Sequence, residues 1–240
     1  MAIFRNIVFI AALAGLVAGL AMTAMQFAGT VPLILKAETF ESAEPAHEHP
    51  LENAVTADSA VAPQAHDHDE GGWAPGDGIE RSAYTAIANI VTATGFALLL
   101  VAASELKGGM TGWRQGVFWG LAGFTVFTLA PGLGLPPELP AMPAADLGER
   151  QIWWGVTALA TGIGLALLVF KRSLPLAMLA AVLIVAPHLV GAPQPASFEF
   201  PVPESLAHDF IVMASVASFV FWIVLGGVAG FARSRVQGSG

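Results

Sequence analysis

Ser82-Ala-Tyr-Thr-Ala-Ile-Ala-Asn-Ile-Val-Thr-Ala-Thr-Gly-Phe-Ala-Leu-Leu-Leu-Val-Ala-Ala-Ser104 runs for 23 residues without a charged side chain. About 20 helical residues cross the hydrocarbon core of a bilayer, so this stretch reads as a spanning helix. Glu105-Leu106-Lys107-Gly108-Gly109 is a short turn, and a second apolar run follows at Trp113–Ala130. So short a link predicts an antiparallel hairpin. Upstream, Ile7–Val31 lies in a run with no charge between Arg5 and Lys36. Downstream come Ile152–Phe170, a turn at Lys171-Arg172-Ser173, a fifth helix with Pro175 in its first turn that ends near Val190, and Phe210–Phe231. Proline is acceptable in a first helical turn because its missing amide has no intrahelical partner there. The expected fold is an all-α integral membrane protein of six transmembrane helices in three antiparallel, hairpin-like pairs.

Composition agrees. The chain is 55% hydrophobic and only 12% charged, about half the charged share of an average soluble domain. It divides into a first helix (1–36), a polar loop (37–81), a five-helix bundle (82–232) with proline-rich loops at 131–151 and 191–208, and a tail (233–240). Arg5 gives the first run a signal-peptide-like start, but the run reaches Leu35 with no small-x-small site after it, so a retained helix is expected. Gly15-x-x-x-Gly19, Gly116-x-x-x-Gly120 and Gly226-x-x-x-Gly230 would permit close helix contact. Glycine is also simply common in spanning helices.

Charge sets the orientation. Six spans place Arg5, Lys107, Arg114, Lys171, Arg172, Arg233 and Arg235 on one face, and only Lys36, Arg81 and Arg150 on the other. Basic residues near span ends mark the cytoplasmic side, so both termini are expected in the cytoplasm. Glu105 is the one acid on that side. A faint repeat also relates Leu129-Ala-Pro-Gly-Leu-Gly134 to Val185-Ala-Pro-His-Leu-Val-Gly191, each followed by Pro-Glu at 137–138 and 203–204. Chance likeness between two proline-terminated helices is the other reading.

Loop 37–81 holds four of the six histidines and 11 of the 18 acids, as His47-Glu48-His49 and His66-Asp67-His68-Asp69-Glu70 within a polar, proline-containing stretch. Too few apolar residues are present to offset chain entropy, so disorder without a metal or partner is expected. In an extended chain, residues two apart share a face at roughly 6.5–7 Å. Each His-x-His pair could then grip one divalent ion, with Asp67 and Asp69 adding oxygen ligands. The alternative is a solvated acidic linker. The chain has no cysteine, which excludes disulfides, thiolate metal sites and thiol catalysis. It also has no phosphate-binding G-x-x-x-x-G-K-[ST] loop, so it is no ATP motor of that type.

Three further residues are candidate ligands. His188 is the only ionisable residue inside an expected span. Such groups usually face a polar pathway, although a histidine can also cap its own helix end. The adjoining Pro187 removes a donor from the carbonyl of Leu183. His208 precedes Asp209 at the start of the last helix, where an acid is also favoured by the helix dipole alone. Glu138 stands in the glycine- and proline-broken end of the third helix. Irregular backbone near membrane depth is tolerated where it lines a cavity, so the outer ends of helices 3 and 5 read as a vestibule. Met22 and Met25 beside Gln26 are soft donors at helical spacing or ordinary packing.

Over nearly its whole length the sequence resembles the CbtA family of cobalt transporter subunits. The likeness rests on the amino-terminal span and the His-rich loop. It rests more specifically on Leu129-Ala-Pro-Gly-Leu-Gly-Leu-Pro-Pro-Glu-Leu-Pro140, Asp146-Leu147-Gly148-x-Arg150-Gln151-x-Trp153-Trp154, and Ala186-Pro-His-Leu-Val-Gly-Ala-Pro193. The resemblance implies cobalt uptake linked to cobalamin synthesis, in a bacterial inner membrane, with a small single-span partner, CbtB. The family is usually described with five spans, against the six expected here. The cargo is then Co2+, with Ni2+ or Zn2+ as alternatives. No permanently bound cofactor, enzymatic activity or nucleic-acid partner is expected, and a homo-oligomer is left open. The competing function is a non-transporting accessory or scaffold subunit of a larger membrane complex.

Overall fold

The structure is a computed structural model that describes residues 2–41, 75–76 and 78–237. The described residues are helical with irregular connections and contain no strand. The helices are α1 (Ala2–Met25), α2 (Val31–Glu41), α3 (Ile79–Glu105), α4 (Trp113–Phe124), α5 (Ala130–Gly132), α6 (Leu147–Phe170), α7 (Leu174–Val190) and α8 (Glu204–Gln237). A π-helical turn, Gln26–Thr30, joins α1 to α2, and another, Thr125–Leu129, joins α4 to α5. Among the described residues, four helices are long and apolar enough to cross a membrane: Phe4–Phe40, Ile79–Glu105, Leu147–Phe170 and Glu204–Val236. Helix α7 is a shorter apolar helix. The disorder expected of the His-rich loop concerns residues that lie largely outside those described.

Several helices reach further than hydropathy suggests. The first continues to Glu41, because Ala37 on its last turns is buried against Leu206 and Phe210 of α8. At 1.5 Å per residue its 37-residue apolar stretch is about 55 Å long, well beyond a hydrocarbon core of about 30 Å. Helix α6 starts at Leu147 rather than Ile152, because Asp146 caps it by accepting the Glu149 amide at 3.0 Å.

Both π turns have the same local cause. Each is followed directly by X-Pro, Val31-Pro32 in one case and Ala130-Pro131 in the other. A proline inside a helix clashes with the carbonyl four residues back and has no amide to give. Widening the preceding turn to i→i+5 bonding, as Val31 N–H to Gln26 O and Ala130 N–H to Thr125 O, lets the helix run through the proline. The helix that proline was expected to end at Ala130 therefore continues to Gly132.

Packing follows small residues. Helix α1 runs antiparallel along α3: Gly15 lies against Thr94 and Gly19 against Ile90, and a Cβ on either glycine would come 2.6 Å from the facing Cα. Helix α4 runs antiparallel along α8 through the other two G-x-x-x-G pairs, which face each other. A Cβ on Gly226 would lie 2.8 Å from the Cα of Gly120, and one on Gly116 would lie 2.9 Å from the Cα of Gly230. Backbones this close gain dispersion contacts that larger side chains would forbid. Helix α8 also packs along α1, and the main core gathers Ile10, Ala14 and Ala18 of α1, Ala93 and Ala97 of α3, and Trp222, Leu225 and Ala229 of α8. Helices α6 and α7 pack against each other across their short turn, with Gly164 against Ala180 and Ile184. Contact between α3 and α4 is slight despite their short link.

These pairings sort charge to two ends. One end carries Arg5, the α3–α4 and α6–α7 turns and the end of α8, and holds the seven basic residues named above with Glu105. Arg233, 5% exposed, grips both carboxylate oxygens of Glu105 through Nε and Nη2 and donates to the carbonyls of Gly108 (3.0 Å) and Met110 (2.7 Å). Gly109, at φ +74°, leaves room for the guanidinium. Lys107 lies 4.4 Å from the ring centre of Phe170, tying the two turns together. The acidic end holds Glu38, Glu80, Glu138, Asp146, Glu149, Glu199, Glu204 and Asp209.

Gly226→Val should lower stability in detergent by about 2–3 kcal/mol, because its side chain forces α4 and α8 apart. Gly95→Ala, which meets nothing within 4 Å, should stay within about 1 kcal/mol of the unaltered protein. Thermal unfolding followed by circular dichroism measures both.

Candidate functional site

At the acidic end the chain forms a clamp around Trp153. Helix α6 carries the Asp146 cap, then Arg150, whose guanidinium pairs with Glu138 at 2.9 Å and so draws the proline-rich loop onto its first turn. One turn on, Trp153 is 9% exposed and its indole Nε1 donates to the carbonyl of Pro187 at 3.3 Å. His188 meets the same indole edge-on, with ring centres 5.8 Å apart. Gly134 and Ala192 close the other sides: a Cβ on Gly134 would fall 2.8 Å from the indole Cζ2 and 3.0 Å from the Ala192 Cβ. The Pro187 carbonyl also takes the Gly191 amide at 3.1 Å, with Gly191 at φ +88° and ψ +150°, a conformation essentially reserved for glycine. Trp154 turns the other way and stacks on Phe127 of the π turn. The two proline-broken helix ends therefore meet, with Trp153 filling the space between them.

A second cluster caps this end. Leu139 from one proline-rich loop and Val202 from the other bury against Ala37, Leu206 and Phe210. Glu38 at the end of the first helix pairs with Arg81 of α3 at 2.8 Å.

The candidate ligands fare as follows. His47, His49, His66, His68, Asp67 and Asp69 lie outside the described residues. His188 is partly buried beside Trp153, and His208 is exposed on the first turns of α8. Glu138 has its carboxylate engaged by Arg150. Among the described residues no three His, Asp or Glu side chains come together as a metal site, so these three do not form one ligand set.

Two features escaped the sequence reading. The first is the burial of Trp153. The Gly134 and Pro187 that receive it are distant in sequence, so hydropathy alone gives no sign of the clamp. The other is a carboxamide node, in which Asn89 donates to Thr23 Oγ1 at 3.0 Å and Gln26 Oε1 at 2.6 Å. Two carboxamides inside expected spans were the available signal, since such groups cross-link helices in hydrocarbon.

An apolar helical bundle with four membrane-length helices, basic at one end and acidic at the other, defines a multi-pass membrane protein. Residues 4–234 match the family described as "Probable cobalt transporter subunit (CbtA)". The chain belongs to this family, and the expected resemblance holds over nearly its whole length. Neither the curated proteins nor the solved structures offer a match.

Trp153→Ala should destabilise the protein by about 3–5 kcal/mol. Trp153→Phe, which keeps a ring but loses the indole donor, should cost about 1–2 kcal/mol. Equal melting temperatures for all three proteins would show that the clamp contributes nothing.

Proposed function

We propose that this chain is the membrane subunit through which Co2+ enters the cell, with Ni2+ as the next candidate cargo. The supporting observation is that the three motif segments, 129–140, 146–154 and 186–193, converge on Trp153 at the acidic end. In this reading all six helical rods cross a bacterial inner membrane, both termini are cytoplasmic and the acidic end faces outward. His47, His49, His66, His68, Asp67 and Asp69 collect the ion reversibly. Two imidazoles on one short extended stretch bind without a rigid fold, which suits capture and release.

From there the cation meets the vestibule at the outer ends of α5 and α7, where His188 and the carbonyls around Pro187 are the nearest donors. Glu138 serves by holding the loop through Arg150, and its negative neighbours attract cations. The driving force is sufficient without ATP: a divalent cation moving inward gains about 4.6 kcal/mol per 100 mV, twice the single-charge value. A CbtB-like single-span subunit is the expected partner, and cobalamin synthesis the expected use. The chain acts as a transporter component rather than an enzyme.

Cobalt(II) uptake into right-side-out membrane vesicles from cells that make the chain tests this reading, against vesicles from cells lacking it. Uptake should follow the chain and rise with membrane potential. Deleting residues 40–75 should slow uptake severalfold at low cobalt without abolishing it. Uptake independent of the chain would refute the reading.

A further inference from the structure

Hydroxyls in this bundle are, as a rule, spoken for. Thr23 donates to Gly19 O, Thr94 to Ile90 O, Thr125 to Leu121 O and Ser104 to Val101 O. Thr128 accepts the indole N–H of Trp222 at 3.1 Å. Thr157 and Thr161 of α6 break the rule. They are 0% and 1% exposed, and neither Oγ1 has a hydrogen-bond partner. A helical threonine has the carbonyl four residues back within reach, so two successive departures on one helix require an explanation, water or an ion among them. Valine would fill the same volume with no polar atom to satisfy.

Their position is specific. Trp153, Thr157, Thr161 and Gly164 share one face of α6, at helical spacings of four, four and three. Its two ends rest on α7, through Pro187 and through Ala180 and Ile184. The neighbouring face of α6 rests on the π turn Thr125–Leu129, through Gly162 against Val126 and Trp154 against Phe127. That turn precedes Pro131, which subtracts one amide donor from the ladder and leaves a main-chain carbonyl in want of one. Along α6, Thr157 lies about 15 Å from Leu147 and Thr161 about 14 Å from Phe170. The hydroxyls therefore sit near mid-membrane, one and two turns below the Trp153–His188 contact. Transporter cargo sites favour this depth, beside interrupted helices.

We propose that Thr157 and Thr161 line a hydrated step in the path of a divalent cation, between α6, α7 and the π turn, directly beneath Trp153. Hydroxyl and carbonyl oxygens suit a cation that keeps part of its water shell, since they can accept from its bound water or ligate the ion weakly enough to release it. Trp153 is then the lid of that path, and displacement of its indole from the Pro187 carbonyl connects it to the vestibule. The identity of the cargo rests on the uptake reading above, whereas the hydrated path does not.

The absence of cysteine from the native chain makes the test direct. Thr157→Cys, Thr161→Cys and, as a lipid-facing control, Leu159→Cys (66% exposed at the native leucine) are made in the full chain in membranes. They are treated with a small, charged, water-soluble thiol reagent. Thr157→Cys and Thr161→Cys should react at least tenfold faster than Leu159→Cys, and cobalt(II) should slow them. Reaction no faster than the control would overturn the proposal. In vesicles, Thr157→Val with Thr161→Val should cut cobalt uptake at least tenfold without lowering the melting temperature, and the paired serine changes should keep uptake within twofold. Unchanged uptake in the valine variant would overturn this proposal alone. Uptake that ignores the chain altogether would overturn the transport reading, and the labelling rates would still decide whether water reaches these hydroxyls.

Discussion

The contact on which the architecture depends is the backbone-to-backbone approach of α4 and α8, glycine against glycine at positions 116, 120, 226 and 230. In hydrocarbon no hydrophobic drive pulls helices together, because lipid tails are as apolar as the side chains they would replace. What remains is dispersion at close range, and it falls away within about an ångström of separation. The same logic repeats where Gly15 and Gly19 of α1 meet α3. With α8 held by α4 on one side and α1 on the other, these three helices form a frame. Arg233 fastens its basic end, drawing the Glu105 carboxylate and two loop carbonyls around one guanidinium.

Helices α6 and α7 stand differently. They pair with each other and reach the frame chiefly through the π turn and the Trp153 clamp. In the proposed function, a hairpin joined to the frame by one widened turn and a few ring contacts is where the irregular backbone of a passage would lie. Proline dictates where this happens. Pro131 widens its helix, and Pro187 presents its carbonyl to the indole. The family motifs are thus largely instructions for backbone geometry, and only secondarily a list of ligands.

Much of this was legible in the sequence. Charge-free runs located the helices, and the ten basic residues divided seven to three between ends that the packing then separated. Glycine spacing marked the close contacts but left their partners open, since G-x-x-x-G fixes a face and not what lies against it. Helix limits were the weaker inference. The turns 32–41 carry Lys36 and Glu38, so hydropathy discards them, yet Ala37 is buried by residues more than 160 positions away. The π turns were readable in principle from X-Pro inside an apolar run. At the site, His188 and the proline-rich ends lie together against Trp153. The burial of Trp153 was not legible, because burial of an aromatic is set by its neighbours in space. Thr157 and Thr161 gave no signal at all, since a threonine that serves its own helix is written with the same letter.

The proposed function requires a membrane bundle that holds its acidic end, and the histidine-rich segment between α2 and α3, toward the incoming cations. The most direct measurement is the side of the membrane on which residue 60 lies. A phosphatase that folds only outside the cytoplasm, inserted after residue 60, should be active, and the same enzyme fused after Gly240 should be silent. An inactive insertion at 60 with an active fusion at 240 would turn the molecule over and contradict the account.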